Sequence, residues 1–259
     1  MLPAIHDTGT GAPVLFLHAF TLDASQWDHQ VAVLSDDMRC IRVDLWGCGS
    51  SPAPPAGEPA LDGFAAAVLA ALDSLNIDKV AVVGLSMGGY LAFTLWRLAP
   101  QRIRALALCN TRATADTAAA RGDRLAMAEQ VEREQSVESI VEPMVARMLS
   151  PGAHDEAHIV DPVRGRIRRC SPAGIAFAQR AMAARPDSTA LLASIDVPAL
   201  VIAGSRDAII PTQEVRAMAD GITDARYCEL ECGHLSNLER SRAVNQELAS
   251  FLTVATMAS

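Results

Sequence analysis

The 259-residue sequence predicts an α/β architecture: a mostly parallel sheet covered by helices on both faces, with an inserted helical cap. Three observations carry the prediction. Short apolar runs rich in β-branched residues alternate with amphipathic stretches along most of the chain, the pattern of repeated strand–helix–strand units. Each apolar run ends in a loop of small and polar residues, as buried parallel strands do. The alternation also lapses once, between residues 112 and about 190, where long amphipathic patterns follow one another with no strand between them. The chain therefore divides into core residues 1–111, a cap at 112–190 and a second core segment at 191–259.

Taken in order, residues 13–18 (PVLFLH) form the first expected strand, and Ser25 is placed to cap a helix that runs to Leu34. Residues 38–43 (MRCIRV) read as the next strand, ending in the glycine-rich loop 44–50 (DLWGCGS). A proline-rich irregular stretch covers 51–59, an Ala- and Leu-rich helix 60–75, and a strand 80–83. Helical periodicity then extends from Met87 to Leu98, where Pro100 follows, and residues 103–109 form another buried strand. In the cap, residues 124–134 and 137–149 are amphipathic. The sheet resumes at 199–203 (ALVIA), a last strand covers 226–230, and a helix over 236–251 closes the chain.

Composition narrows the partners. A formal charge of −8 and half the residues apolar give ample core material and no basic field to attract nucleic acid. The sequence begins without a basic and apolar leader and contains no bilayer-length apolar run, so a cytoplasmic chain without membrane contact is expected, monomeric or homodimeric. The six cysteines are expected to be buried thiols in that compartment. The cap holds 11 of the 22 basic residues and 11 acids, so it is near neutral and the core carries the negative charge.

The chemistry concentrates at residues 84–88 (GLSMG), between the 80–83 strand and the helix that follows. The bare G-x-S-x-G pattern arises by chance in roughly one chain in ten of this length, but seldom between a buried strand and a helix. A strand that reverses into a helix so abruptly strains the backbone at Ser86, and the flanking glycines remove Cβ atoms that would collide. The helix N-terminus points at the same spot, favouring negative charge there. A serine hydroxyl needs a base, and the base needs an orienting carboxylate. Asp207 follows the 199–203 strand and His234 follows the last strand, so a parallel sheet delivers both to the edge where Ser86 stands. Asp44 is the weaker carboxylate candidate, because it precedes the serine in the chain.

With these stretches in view, LFLHAF at 15–20, DLWGCGSS at 44–51, GLSMGG at 84–89, GSRDAIIP at 204–211 and GHLSNLE at 233–239, the chain resembles the α/β-hydrolase superfamily. Within it the resemblance is to the 3-oxoadipate enol-lactonase group and its esterase and haloperoxidase-like relatives. The resemblance implies the α/β-hydrolase fold, a Ser86–His234–Asp207 triad, and an oxyanion hole made by the backbone N–H groups of Phe20 and Met87. It implies neither a metal nor a cofactor. Two positions depart from the family's pattern: Ala19 stands where Gly is common after His18, restricting the backbone that presents Phe20, and Cys48 stands where His is common. His18 is expected to brace its loop.

Arg112, at the end of a strand, and Trp46, on the glycine-rich loop, are the candidate substrate contacts. Arg164, Arg166, Arg168 and Arg169 form a basic cluster that reads either as a solvated ion-paired face or as a site for an acidic substrate or acyl carrier protein. His154 and His158 have zinc-helix spacing without a third ligand, and read as a cap turn. The expected activity is hydrolysis of a small-molecule ester or lactone. Alternatives are acyl transfer or thioester cleavage from a carrier with the same triad, a cofactor-free haloperoxidase-like reaction, and a non-catalytic binding module.

Overall fold

In the computed structural model, residues 1–257 are described. The strands are β1 (Ala4–Thr8), β2 (Ala12–Leu17), β3 (Met38–Asp44), β4 (Val80–Leu85), β5 (Ile103–Cys109), β6 (Ala199–Gly204) and β7 (Arg226–Leu230). They form one sheet in the order β1-β3-β2-β4-β5-β6-β7. β1 pairs antiparallel with β3 at the edge, and the other interfaces are parallel. The chain leaves β2 for β3 on one side and returns to β4 on the other. The strand order thus reverses between β2 and β4, and such a switch point opens a crevice at the carboxyl ends of the strands.

β4 and β6 are buried along their whole length, consistent with their unbroken apolar sequences. Outside the segment between β5 and β6 the helices are α1 (Asp28–Leu34), α2 (Leu61–Ser74), α3 (Met87–Leu98), α8 (Thr212–Asp220), α9 (Ser236–Glu239) and α10 (Ser241–Met257). Between β5 and β6 lie α4 (Ala118–Glu134), α5 (Glu138–Met148), α6 (Ala157–Arg168) and α7 (Pro172–Ala183), with α4 packed on α7 and α5 on α6. No described helix is long and apolar enough to cross a membrane.

Several local expectations change. β1 carries no strand signal in the sequence because AIHDT is short and largely polar, as an edge strand with one partner permits. The helix expected from Ser25 is a 3-10 turn over Ala24–Trp27 before α1, and its cap is Asp23, whose carboxylate accepts from the Ser25 N–H. The closing helix breaks at Arg240 into α9 and α10. Cys40, Cys109 and Cys232 are buried thiols, whose desolvation pushes them up to about 11, 12 and 12. Cys48 and Cys170 are instead joined in a disulfide. The pairing lay hidden across a separation of 122 positions; it forms because the Ser171 N–H donates to Gly47 O at 2.6 Å, bringing the glycine-rich loop against the α6–α7 junction.

Candidate active site

Ser86 sits at the apex between β4 and α3 with φ 56° and ψ −111°, a conformation that holds a non-glycine residue at a cost of about 1–3 kcal/mol. The surroundings enforce it. The Ser86 N–H donates to Cys109 O at 3.0 Å, and the Thr111 hydroxyl donates to Ser86 O at 2.9 Å. A Cβ on Gly84 would stand 2.4 Å from Gly88 O, and one on Gly88 would stand 2.1 Å from Leu17 O, so neither position admits a side chain. Met87 is the first residue of α3, and its N–H lies outside the intrahelical ladder.

The Asp207 and His234 side chains meet beside this apex. His234 Nδ1 lies 2.8 Å from Asp207 Oδ2, and both side chains are almost wholly buried. The carboxylate is fully committed: Oδ1 accepts from the N–H groups of Ile209 (2.8 Å) and Ile210 (3.0 Å), and Oδ2 also accepts from Asn110 Nδ2 at 3.0 Å. Burial pushes the Asp207 carboxyl up, but the His234 charge and these hydrogen bonds outweigh it and hold the group below the ordinary carboxylate value. Deprotonated, it accepts from a Nδ1–H and so favours the tautomer whose free Nε2 can take a proton. Ser86 and His234 line one cavity of about 230 Å³, together with Phe20.

Phe20 follows β2 on a braced loop. The Leu45 N–H donates to His18 Nε2 at 2.9 Å, so His18 carries its proton on Nδ1 and donates it to Ala19 O at 2.8 Å. Burial lowers the basicity of His18, in keeping with this neutral form. The Ala19 N–H is taken by Gln26 Oε1, whereas the Phe20 N–H has no protein acceptor among the described residues. The left-handed residue of this loop is Thr21, a β-branched residue at φ 67°, and not Ala19.

The substrate-contact candidates fare differently. Trp46 does not line the cavity: its indole packs on Phe64 and Phe177, with centroids at 4.9 and 5.9 Å, and its N–H donates to Met1 O. It is a core residue because the glycine-rich loop turns inward beneath α7. Arg112 does reach the cavity, yet its guanidinium is taken by Glu214 at 3.2 Å and Asp116 at 2.9 Å. Asp116 also binds Arg124 and Arg185; burial pushes its carboxyl up, the arginines pull it down further, and the result is about 2. Three of the four arginines of the basic cluster are similarly ion-paired. Arg164 pairs with Glu142 and Asp161, Arg168 with Glu138 and Arg169 with Asp23, while Arg166 donates to Ser25 O and Oγ at 2.9 Å. His158 is exposed beside Glu156.

Sequence reading missed Asn110, Gln26 and Asn237. Asn110, at φ 46°, ties Asp207 to Gly233 O; Gln26 Nε2 donates to Asn237 Oδ1 at 3.2 Å while its Oε1 accepts from the Ala19 N–H, linking the Phe20 loop to α9. Asn110 directly follows the 103–109 strand and Asn237 lies in the GHLSNLE stretch, but only the fold reveals their partners.

Comparison with known proteins identifies the fold. The alpha/beta hydrolase fold family matches residues 12–135, and the TAP-like protein family matches residues 172–259. A thermophilic esterase from Thermogutta terrifontis is 36% identical and superposes with a TM-score of 0.94, over 98% of this chain and 93% of its own. The enol-lactonase from Burkholderia xenovorans LB400 is 30% identical with a TM-score of 0.88, over 96% of each chain. The 3-oxoadipate enol-lactonase 2 of Acinetobacter baylyi is 29% identical over 240 residues, 92% of this chain and 88% of its own length. In sequence and in fold, this chain belongs to the α/β-hydrolase family.

Proposed function

We propose that the protein is a serine hydrolase of small-molecule esters or lactones. The observation that carries the reading is the strained Ser86 in the wall of the same cavity as a His234 imidazole hydrogen-bonded to a buried, deprotonated Asp207. An esterase and two enol-lactonases among the similar proteins support it.

His234 Nε2 accepts the Ser86 hydroxyl proton as Oγ attacks the substrate carbonyl carbon, and the carbonyl electron pair moves onto oxygen. The Phe20 and Met87 N–H groups donate to that oxyanion. Collapse expels the alkoxide, which takes the proton from His234, and leaves the acyl group on Ser86. Water, deprotonated by His234, then attacks the ester, and Oγ leaves with the proton. Amides fit least, since their leaving amine must be protonated. Helices α4, α5 and α7 act as the cap: Met127, Met144, Met148 and Met182 give the cavity a pliable apolar wall, suited to an apolar acyl or alcohol part.

A fluorophosphonate probe should label Ser86 stoichiometrically, and short-chain esters or lactones should be turned over. An unlabelled Ser86 would overturn the reading. Faster product formation with an added alcohol or thiol acceptor would identify acyl transfer instead. Because its charge is already neutralised, Arg112→Ala should alter kcat/KM for matched neutral and carboxylate-bearing esters by the same factor; a selective loss of tenfold or more for the carboxylate ester would make Arg112 an anion anchor.

A further inference from the structure

The His234 side chain is fixed by Asp207, but the backbone carrying it is fixed by the end of α5. The His234 and Leu235 N–H groups both donate to Met148 O, at 2.9 and 3.3 Å. Met148 is the last residue of α5, and its side chain lines the catalytic cavity. One residue earlier in the same loop, the Gly233 N–H donates to both carboxylate oxygens of Glu239, each at 3.1 Å. That carboxylate also accepts from the Ser150 N–H at 3.2 Å and the Ser150 hydroxyl at 2.5 Å. Gly233 is pressed so tightly into this junction that a Cβ would stand 2.5 Å from Ser150 N and 2.7 Å from Glu239 Oε1.

We propose that Glu239 is a positioning residue for the reaction: its carboxylate clamps the His234 loop to the Met148–Ser150 turn, and so sets the aim of Nε2 at Ser86. The inference rests on the hydrolase reading above. With the Nδ1 end tethered to Asp207, a shift of the backbone anchor rotates the ring about that tether and carries Nε2 away from the serine. Reaction geometry is sensitive to such shifts, a 1 Å misplacement being able to lower rate by about 10²-fold. The clamp joins a wall of the cavity to the base, so a substrate pressing on Met148 acts on the same turn that holds His234.

The chemistry of the clamp separates its variants. In Glu239→Gln the amide oxygen can accept both N–H groups and the amide nitrogen can donate to Ser150 Oγ, so the junction persists. Glu239→Ala removes every acceptor, and because Glu239 borders a polar cavity of about 200 Å³, water can fill the space it leaves. Each variant is assayed well below its own Tm for kcat, KM and the rate of Ser86 phosphonylation by the fluorophosphonate, in which Oγ displaces fluoride from phosphorus. Glu239→Ala should lower kcat and the phosphonylation rate together by about 10- to 100-fold with KM within about threefold, and Glu239→Gln should restore both to within about threefold of wild type. A folded Glu239→Ala with kcat and phosphonylation rate within twofold of wild type would overturn the proposal. Should that variant not fold, Glu239→Asp decides: its shorter reach should lower both rates by about three- to tenfold, and wild-type rates would overturn the clamp. A wild-type protein that fails to react with the probe would instead overturn the hydrolase reading itself.

Discussion

Ser86→Ala lowers kcat by about 10⁴- to 10⁶-fold with the melting temperature unchanged or raised. The size follows from the pathway: without Oγ there is no acyl-enzyme, and only the oxyanion donors and the cavity remain to assist direct attack by water. The stability half of the expectation follows from the backbone. Ser86 is held at φ 56° by the Cys109 and Thr111 contacts, both of which use its main-chain atoms, so truncating the side chain breaks neither. Steady-state assays beside a thermal melt check both halves, and turnover near the wild-type level would remove Ser86 from the chemistry.

Asp207→Asn should lower kcat by about 10⁴-fold, through the wrong imidazole tautomer. An asparagine here has no satisfactory orientation. With its oxygen toward His234 and Asn110, its NH₂ faces the N–H groups of Ile209 and Ile210; with its oxygen toward those N–H groups, its NH₂ faces Nδ1 and the Asn110 amide. The second arrangement forces the proton onto Nε2, where a base is needed. Asp44 provides the contrast. Its carboxylate accepts from the N–H groups of Ala24 (2.7 Å) and Ser50 (2.8 Å) and lies 3.1 Å from His6 Nε2, so it braces two loops. Asp44→Asn should cost about 1–3 kcal/mol of stability, from buried donors left unpaired, with little change in kcat at temperatures where it is folded. A larger kcat loss in Asp44→Asn than in Asp207→Asn, with folding intact, would reverse the assignment.

Much of this arrangement was legible because it is local. The α3 and β5 boundaries follow from Pro100 and from an apolar run interrupted only by Arg104, and Ser86 is announced by glycines whose absent Cβ atoms can be read directly as a tight turn. Asp207 and His234 were legible through topology, since loops after parallel strands emerge at one edge. Contacts between side chains distant in sequence were not. Nothing about Arg112 in the chain reveals that Asp116 and Glu214 occupy its guanidinium, and Trp46 looks like a cavity residue until Phe64 and Phe177 are seen around it. Glu239 shows the same limit: five residues beyond His234 it could be any surface acid, and only the return of α5 to the sheet gives it Ser150 to hold.

The Cys48–Cys170 bond also divides the chain topologically. It closes a covalent ring over residues 48–170 that contains Ser86 and leaves Asp207 and His234 outside. Arg133, 71% exposed on α4, lies within the ring, whereas Arg206, 54% exposed, lies beyond it. A protease nick at Arg133 therefore leaves a single covalent molecule even in denaturant, while a nick at Arg206 frees a fragment carrying Asp207 and His234 at once. Reductant erases that difference, so the two halves of the catalytic machinery can be parted by one cut on the far side of the ring but need a cut and a thiol on the near side.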